Sequence, residues 1–573
     1  FISSYPRPSA QKVAEQLLPD SPLDASLAKL VSRREGIDVV IAAAIAEKGS
    51  GYRISAEARD TALEADEGKP LASAKETARS KEDVLPAVGR VAADLRKRLG
   101  DTAPESARLA ASETFTASSL EAMSAYASAQ DYLYQGNFDQ ALEQYEEAIE
   151  LDPQFGRAYS GMAVVYANQK EYERAEESYQ QALKQLDRMT ERERYRTLGS
   201  YYLDISRNNE KAIENYETLV DLYPADRAGH ANLALAYLYA RDFDRAVEEG
   251  RKSIELEPNN LLQRTNYSMY LMYAGDFEES MVQARKVLED NPRYGYARFT
   301  LARSAVAAGD LTTARRAYRE LRQLGDFNAI LADLGEADLE MYLGRSPRAI
   351  ELLAPKVESD PEGTSTAALS ELLAEANLAV GRVDDARRLA RAASEAGNHE
   401  SVLYPAARVL AATGDVAGAE AIALELENRL QSQTVSYARL IAGEIALMNN
   451  HLLPAVESLR DGWERNDSWL AHLLLGRAYL EAEHYPEALG EFQHCIEQQG
   501  EILDVFLVDG STIRYLPQAY YYLGRAQEGI GDAEAASESY RRYLEIRSDP
   551  DIPDPLATDA SARLGQIEAA EAS

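Results

Sequence analysis

Along most of the chain apolar residues recur at helical spacing, and the helices themselves recur. A small residue stands at Ala141, Ala175, Ala212, Ala246, Ser280, Ala314, Ala349, Ala386, Ala419, Ala455, Ala488 and Ala536. Successive members lie 33 to 37 residues apart, except the last, which follows after 48. Four residues on comes a large side chain in most copies, as at Tyr145, Tyr179, Tyr216, Tyr318, Leu353, Leu459, Phe492 and Tyr540. Five residues before stand Gly136, Gly275, Gly309, Gly344, Gly381, Gly414 and Gly531, and twelve after stand Pro153, Pro224, Pro258, Pro292 and Pro361. Each regularity has a mechanical reading. The glycine ends one helix in a left-handed conformation, the small residue lets two antiparallel helices approach, and the large one fills the space beside that contact. The proline stops the second helix. The pattern predicts about twelve helix-turn-helix units over residues 117–550.

Two stretches depart from the period. Glu501 to Arg514 lengthens the last interval, and its Asp509-Gly510 between β-prone runs reads as a small hairpin or loop. Either it is a passive connection, or its Val505, Phe506 and Leu507 contact a partner or a second subunit. Asp187 to Arg196 replaces the proline turn after the second unit and reads as a helix extension carrying solvated charges. Residues 551–573 supply an amphipathic end helix, Leu556 to Ala572, of the kind a solenoid needs over its last apolar face.

The first hundred residues follow another pattern. Residues 37–47 are almost wholly apolar and read as a buried strand, followed by a turn at Lys48 to Gly51. Over 51–60, Tyr52, Ile54, Ala56 and Ala58 alternate with polar residues, the signature of a half-buried strand. A third strand is expected near 69–77, and helices over Leu23 to Arg34 and over 81–99, the latter with Val84, Leu85, Val88, Val91, Ala92 and Leu95 on one face. The result is a small α+β domain over 1–105, joined to the repeats near Asp101 to Thr116.

Charge narrows the partners. The net charge is −34 over 573 residues, and residues 1–100 are close to neutral, so the acidity belongs to the repeats. An acidic surface repels phosphate, which argues against a nucleic-acid partner and for a basic or neutral protein. The one cysteine, Cys495, excludes an internal disulfide framework and a multi-cysteine metal site within one chain. No apolar run approaches the roughly 20 residues of a membrane helix.

The 34-residue period and residues such as Tyr132, Gly136, Ala141, Tyr145, Ala148 and Pro153 resemble the tetratricopeptide repeat consensus. That implies a mainly α, right-handed superhelical solenoid of about twelve repeats. The succession Arg34 to Val40, Gly51 to Ala56, Gly68 to Ala74, Lys81 to Leu85, Leu95 to Asp101 and Phe115 to Ala122 resembles a second pattern. It is similar to the carboxy-terminal sensor region of bacterial eukaryotic-like serine/threonine kinases that carry tetratricopeptide repeats. Similar regions follow winged-helix transcription regulators and cyclases. In that kinase family a cytoplasmic kinase and one membrane helix precede a small α/β domain and the repeats. The resemblance does not bring the kinase with it: no phosphate-loop glycine motif, His-Arg-Asp or Asp-Phe-Gly is present. The start at Phe1, without Met or a signal-peptide pattern, suggests a fragment or a processed product.

No enzyme motif is found, so no catalytic residue, cofactor or metal is assigned. His230, His399, His451, His472, His484 and His494 form no His-Glu metalloprotease pair, although four of them gather near Cys495, where a fortuitous metal site is the minor alternative. The binding candidate is the concave face made by the first helix of each repeat. Its inward places in repeats four to six are Asn232, Leu235, Leu238, Thr265, Asn266, Met269, Met272, Tyr296, Phe299 and Arg303. The paired Lys and Arg of a carboxylate-gripping groove are missing there, so an apolar groove for an extended or helical peptide is expected; otherwise these side chains are inter-repeat core.

The expected function is therefore a non-catalytic protein- or peptide-binding scaffold and sensor region of a membrane-anchored bacterial signalling protein. A free-standing scaffold or the sensor of a transcription regulator is the alternative. Its expected place is the periplasmic side of the inner membrane if an upstream helix anchors it, and the cytoplasm otherwise.

Overall fold

In a computed structural model of the protein, residues 7–19, 21–62, 69–101, 116–360, 366–429, 431–507 and 510–571 are described. By compactness the chain divides inside the repeat array into two units: residues 1–240 with 248–260, and residues 241–247 with 261–573.

The first unit opens with helices α1 (Arg7–Leu17) and α2 (Ala25–Glu35), which bury Ala14, Leu27 and Val31 together. Only the second was expected from sequence. Strands β1 (Val39–Lys48), β2 (Gly51–Asp60) and β3 (Ala72–Ala78) form an antiparallel sheet in the order β1-β2-β3. Helix α3 (Val84–Arg98) places Val84, Ala87, Val91 and Leu95 against Ile54, Ala56, Ala58, Ala72 and Ala74. β1 is not the buried strand that its apolar run predicts. From Ile41 to Lys48 every residue is exposed, because α3 packs chiefly on β2 and β3. An apolar run marks a strand that wants cover on both faces, and the described residues supply little of it. The linker expected near Asp101 to Thr116 lies almost wholly outside the described residues.

In both units the repeats are antiparallel helix pairs, most helices packing on their neighbours in sequence and many on the next but one. All twelve small residues that set the period are fully buried, and the large residues four positions on are buried with them. The aromatic fills a gap left by a missing side chain: a Cβ on Gly161 would sit 2.4 Å from the Tyr145 ring, and one on Gly476 would sit 2.7 Å from Phe492. The turn position five residues before each small residue is left-handed in every repeat. Seven copies place glycine there, but Lys170, Arg207, Arg241, Asn450 and Glu483 adopt φ values of 49 to 63°. The geometry is therefore set by the helix pair, and glycine only relieves it.

Asp187 to Arg196 does not extend a helix. A 3-10 turn at Leu186–Arg188 ends the preceding one, and Thr190 and Glu193 form a capping box that starts Glu191–Asp204. Its charges are not simply solvated either. Arg192 and Arg196 close on the fully buried Asp226 at 2.8 and 2.6 Å. Burial opposes the charge of that carboxylate, but the two guanidiniums hold it well below the usual range. At the other end Pro555–Glu571 lays Leu556, Ala557, Ala560, Leu564 and Ile567 on the last repeat.

Candidate functional site in the inner face of the second unit

The residues eleven places before the packing position lie on the first helix of each repeat. In successive repeats of the second unit they are Met269, Arg303, Asp338, Glu375, Arg408, Glu444, Arg477 and Arg525, an inner row that turns from apolar to charged. Buried charges need partners, and the insertion supplies them.

Glu501 to Tyr515 forms no hairpin among its described residues; Asp509 of the expected turn lies outside them. Instead it makes two 3-10 turns, Glu501–Leu503 and Ile513–Tyr515, and lies along this row. Arg241 pairs with Glu501 and donates to the Val505 carbonyl at 3.0 Å. Arg303 donates to the Gly510 carbonyl at 3.1 Å and lies 3.5 Å from Asp504. Asp338 accepts from the Ile513 amide at 2.9 Å, from Ser511 Oγ at 2.9 Å and from the Arg514 guanidinium at 2.8 Å. Arg514 also pairs with Glu375, which accepts from the Tyr515 hydroxyl at 2.7 Å. Phe506 packs on the rings of Tyr404 and Tyr437 at 6.1 and 5.4 Å. Gly500 passes so close to the Tyr273 carbonyl that a Cβ would sit 2.1 Å from it. Val505, Phe506 and Leu507, expected to be a passive loop or to face a partner, are buried against the chain itself.

Burial dominates the electrostatics here. It pushes the carboxyls of Asp338, Glu371 and Glu501 upward, although Arg514 counters it at the first two and Arg241 at the third. Burial also disfavours the charge on Arg514, which Glu375, Glu371 and Asp338 hold in place.

Of the ten residues expected to line the groove, Asn232, Leu235 and Leu238 belong to the first unit and the rest to the second. Thr265, Met272, Phe299 and Arg303 are buried, with Arg303 over the Phe299 ring at 4.3 Å. Leu238 is buried too, and Asn232 donates to the Tyr216 hydroxyl at 3.1 Å. Leu235, Asn266 and Met269 are half-buried. Tyr296 is exposed, its ring 6.0 Å from that of Phe327.

Beyond the insertion the inner row stays open as a cavity of about 360 Å³, whose charged lining is Glu375, Arg408, Glu444, Arg477, Arg514 and Arg547. Arg408 reaches Glu444 at 2.9 Å and Glu375 at 3.6 Å, and Arg477 stands 3.6 Å from Glu444. Four arginines against two carboxylates make this lining basic in a chain of net charge −34. Such a place suits a carboxylate. Sequence reasoning missed it, although Arg408 and Arg477 share the register place of Arg303.

One further cluster holds titratable groups. Asp467, His472 and His494 each place a ligand atom within 4.8 Å of the others. Both His472 nitrogens are already committed, to Glu491 at 2.6 Å and Asp467 at 2.7 Å. Burial works against the imidazolium, but the two carboxylates outweigh it and push its pKa up to about 9. His494, stacked on that ring at 3.7 Å, is pushed down by burial and by its charged neighbour. The arrangement is that of an ion-paired imidazolium.

Among the described residues no helix is long and apolar enough to cross a membrane. No curated protein matches the sequence. Among solved structures the chain is similar to the Cut9–Hcn1 hetero-tetramer of the APC/C, at 12% identity and TM-score 0.36, over 85% of this chain and 94% of that one. It is also similar to yeast Tom70, at 12% identity and TM-score 0.33, over 78% and 96%. PilF of Pseudomonas aeruginosa matches at 22% identity and TM-score 0.28, over 36% and 94%. Tetratricopeptide repeat models match residues 126–188, 196–260, 268–329, 334–401 and 517–550, together just over half of the chain. The repeat geometry and the matches to these repeat models agree: the chain belongs to the tetratricopeptide repeat family, a scaffold suited to protein–protein interaction.

Proposed function

We propose that this chain is a non-catalytic protein-binding scaffold that takes an acidic or carboxylate-ended peptide segment on the inner face of its second unit, beside the insertion. The observation that carries the reading is the cavity holding Arg408, Arg477, Arg514 and Arg547, a basic lining on an acidic chain. Its guanidiniums are partly neutralised by Glu375 and Glu444, and Arg514 also by Asp338 and Glu371, so the peptide carboxylate competes with these side chains for the same donors. That competition favours exchangeable binding over permanent assembly. The exposed Tyr296 is the part of the expected groove best disposed to meet a second stretch of peptide.

The larger setting proposed is the sensor region of a membrane-anchored bacterial signalling protein, a serine/threonine kinase, on the periplasmic side of the inner membrane. The motifs over residues 34–120 support it. Peptide arrays in which each sequence ends either in a free carboxylate or in an amide test the binding reading. The expected result is capture of free-carboxylate members by the wild type, with at least about tenfold weaker capture by Arg408→Ala/Arg477→Ala. Equal capture of both end groups, or by both proteins, contradicts it.

A further inference from the structure

β1 is an edge strand, and among the described residues no strand pairs with its outer side. Its far partner in the sheet, β3, carries Lys75 and Glu76 on the other edge, whereas β1 runs from Val39 to Ala46 without a charge, a proline or a bulge. Soluble proteins protect such edges because unpaired N–H and C=O groups invite another strand. The carbonyl of Asp38 accepts from the Thr61 amide, so even-numbered residues of β1 face β2. The ladder groups of Ile41, Ala43 and Ile45 therefore point outward. Their side chains share a face with their partners Ala58, Ala56 and Ile54, the face on which α3 packs. There Ile41 and Ile45 are about half exposed and border a mostly apolar cavity of about 580 Å³ with Val88, Val91 and Leu95.

The sequence of this edge is complementary to itself. Around Ala43 it reads Ile-Ala-Ala-Ala-Ile. An antiparallel pairing with a two-fold axis at Ala43 sets Ile41 opposite Ile45 of the second copy, and Ala42 opposite Ala44. The same register sets Asp38 opposite Lys48 at both ends, both exposed and on the same side of the sheet. Opposite residues of an antiparallel pair have equal parity in this register, so outward ladder groups meet outward ladder groups. We propose that two copies of this chain associate through β1, joining their three-stranded sheets into one of six strands. The contact is isologous, as a closed dimer requires.

The test uses the full chain. Replacing Ala43 by Cys puts a thiol on the axis, while the native Cys495 is buried. Under mild oxidation the Ala43→Cys protein is expected to form disulfide-linked dimers on the order of 100-fold faster than Lys75→Cys on the opposite edge, because pairing raises the effective thiol concentration. In sedimentation equilibrium the wild type is expected to dimerise, and Asp38→Lys and Lys48→Asp each to weaken the dimer. The double variant Asp38→Lys/Lys48→Asp is expected to restore it, a rescue that a folding defect does not give. A monomer at all concentrations, equal crosslinking at the two edges, or no rescue by the double variant overturns the proposal, and pairing of β1 with a foreign strand instead gives the first of these.

Discussion

The guanidinium of Arg514 lies 2.8 Å from the carboxylate of Asp338, 176 residues away in sequence, and both are buried. A pair of this kind costs about as much to desolvate as it returns, but removing one partner strands the other. Asp338→Ala is therefore expected to destabilise the second unit by about 3–5 kcal/mol, and Arg514→Ala similarly. The double variant should lose clearly less than the two together, because the Asp338–Arg514 pair is then removed as a whole and neither of its members is stranded by loss of the other. Urea unfolding of the four proteins measures the coupling; additive losses contradict the pairing.

The left-handed turn offers a gain in stability. Lys170 and Glu483 hold φ values of 63 and 60° in exposed positions where seven other repeats place glycine. An ordinary residue is strained there, and glycine repays part of that relief in unfolded-state entropy. Lys170→Gly and Glu483→Gly should each stabilise by about 0.5 kcal/mol in thermal unfolding. Destabilisation by either contradicts the assigned turn.

His472 predicts a pH dependence of definite sign. Its folded pKa, about 9, lies above the ordinary histidine value of 6.5. A group whose pKa rises on folding contributes stability fully below the unfolded pKa and loses it as pH climbs through the folded one. The difference in stability between wild type and His472→Gln should thus be largest below pH ~6.5, at roughly 2 kcal/mol given that Asp467 is solvent-screened. It should fade above pH ~9. A difference that grows with pH contradicts the doubly bonded imidazolium.

The repeat fold was legible because its rules are local and periodic. Ala141 and Tyr145 sit where antiparallel helices must meet, and that requirement returns with every copy. β1 misled because an apolar run reports what a strand could bury, whereas burial depends on whether another element arrives, and α3 packs chiefly on β2 and β3. The inner face was half legible. Arg303 was placed inward, but its partner Gly510 lies 207 residues on, in a segment whose destination no local pattern encodes. Arg408 and Arg477 were readable from the same register as Arg303. They fall outside repeats four to six, to which the expected groove is confined.

The central structural claim is that the insertion lies packed in the inner face of its own solenoid. Hydrogen exchange of its amides tests this most directly. The Val505 amide donates to Thr512, that of Gly510 to Asp504 and that of Ile513 to Asp338. These three are expected to exchange as slowly as the amides of the surrounding helices, and Asp338→Ala is expected to speed the exchange of Ile513. Exchange at the rate of a free loop, unchanged by Asp338→Ala, would contradict it.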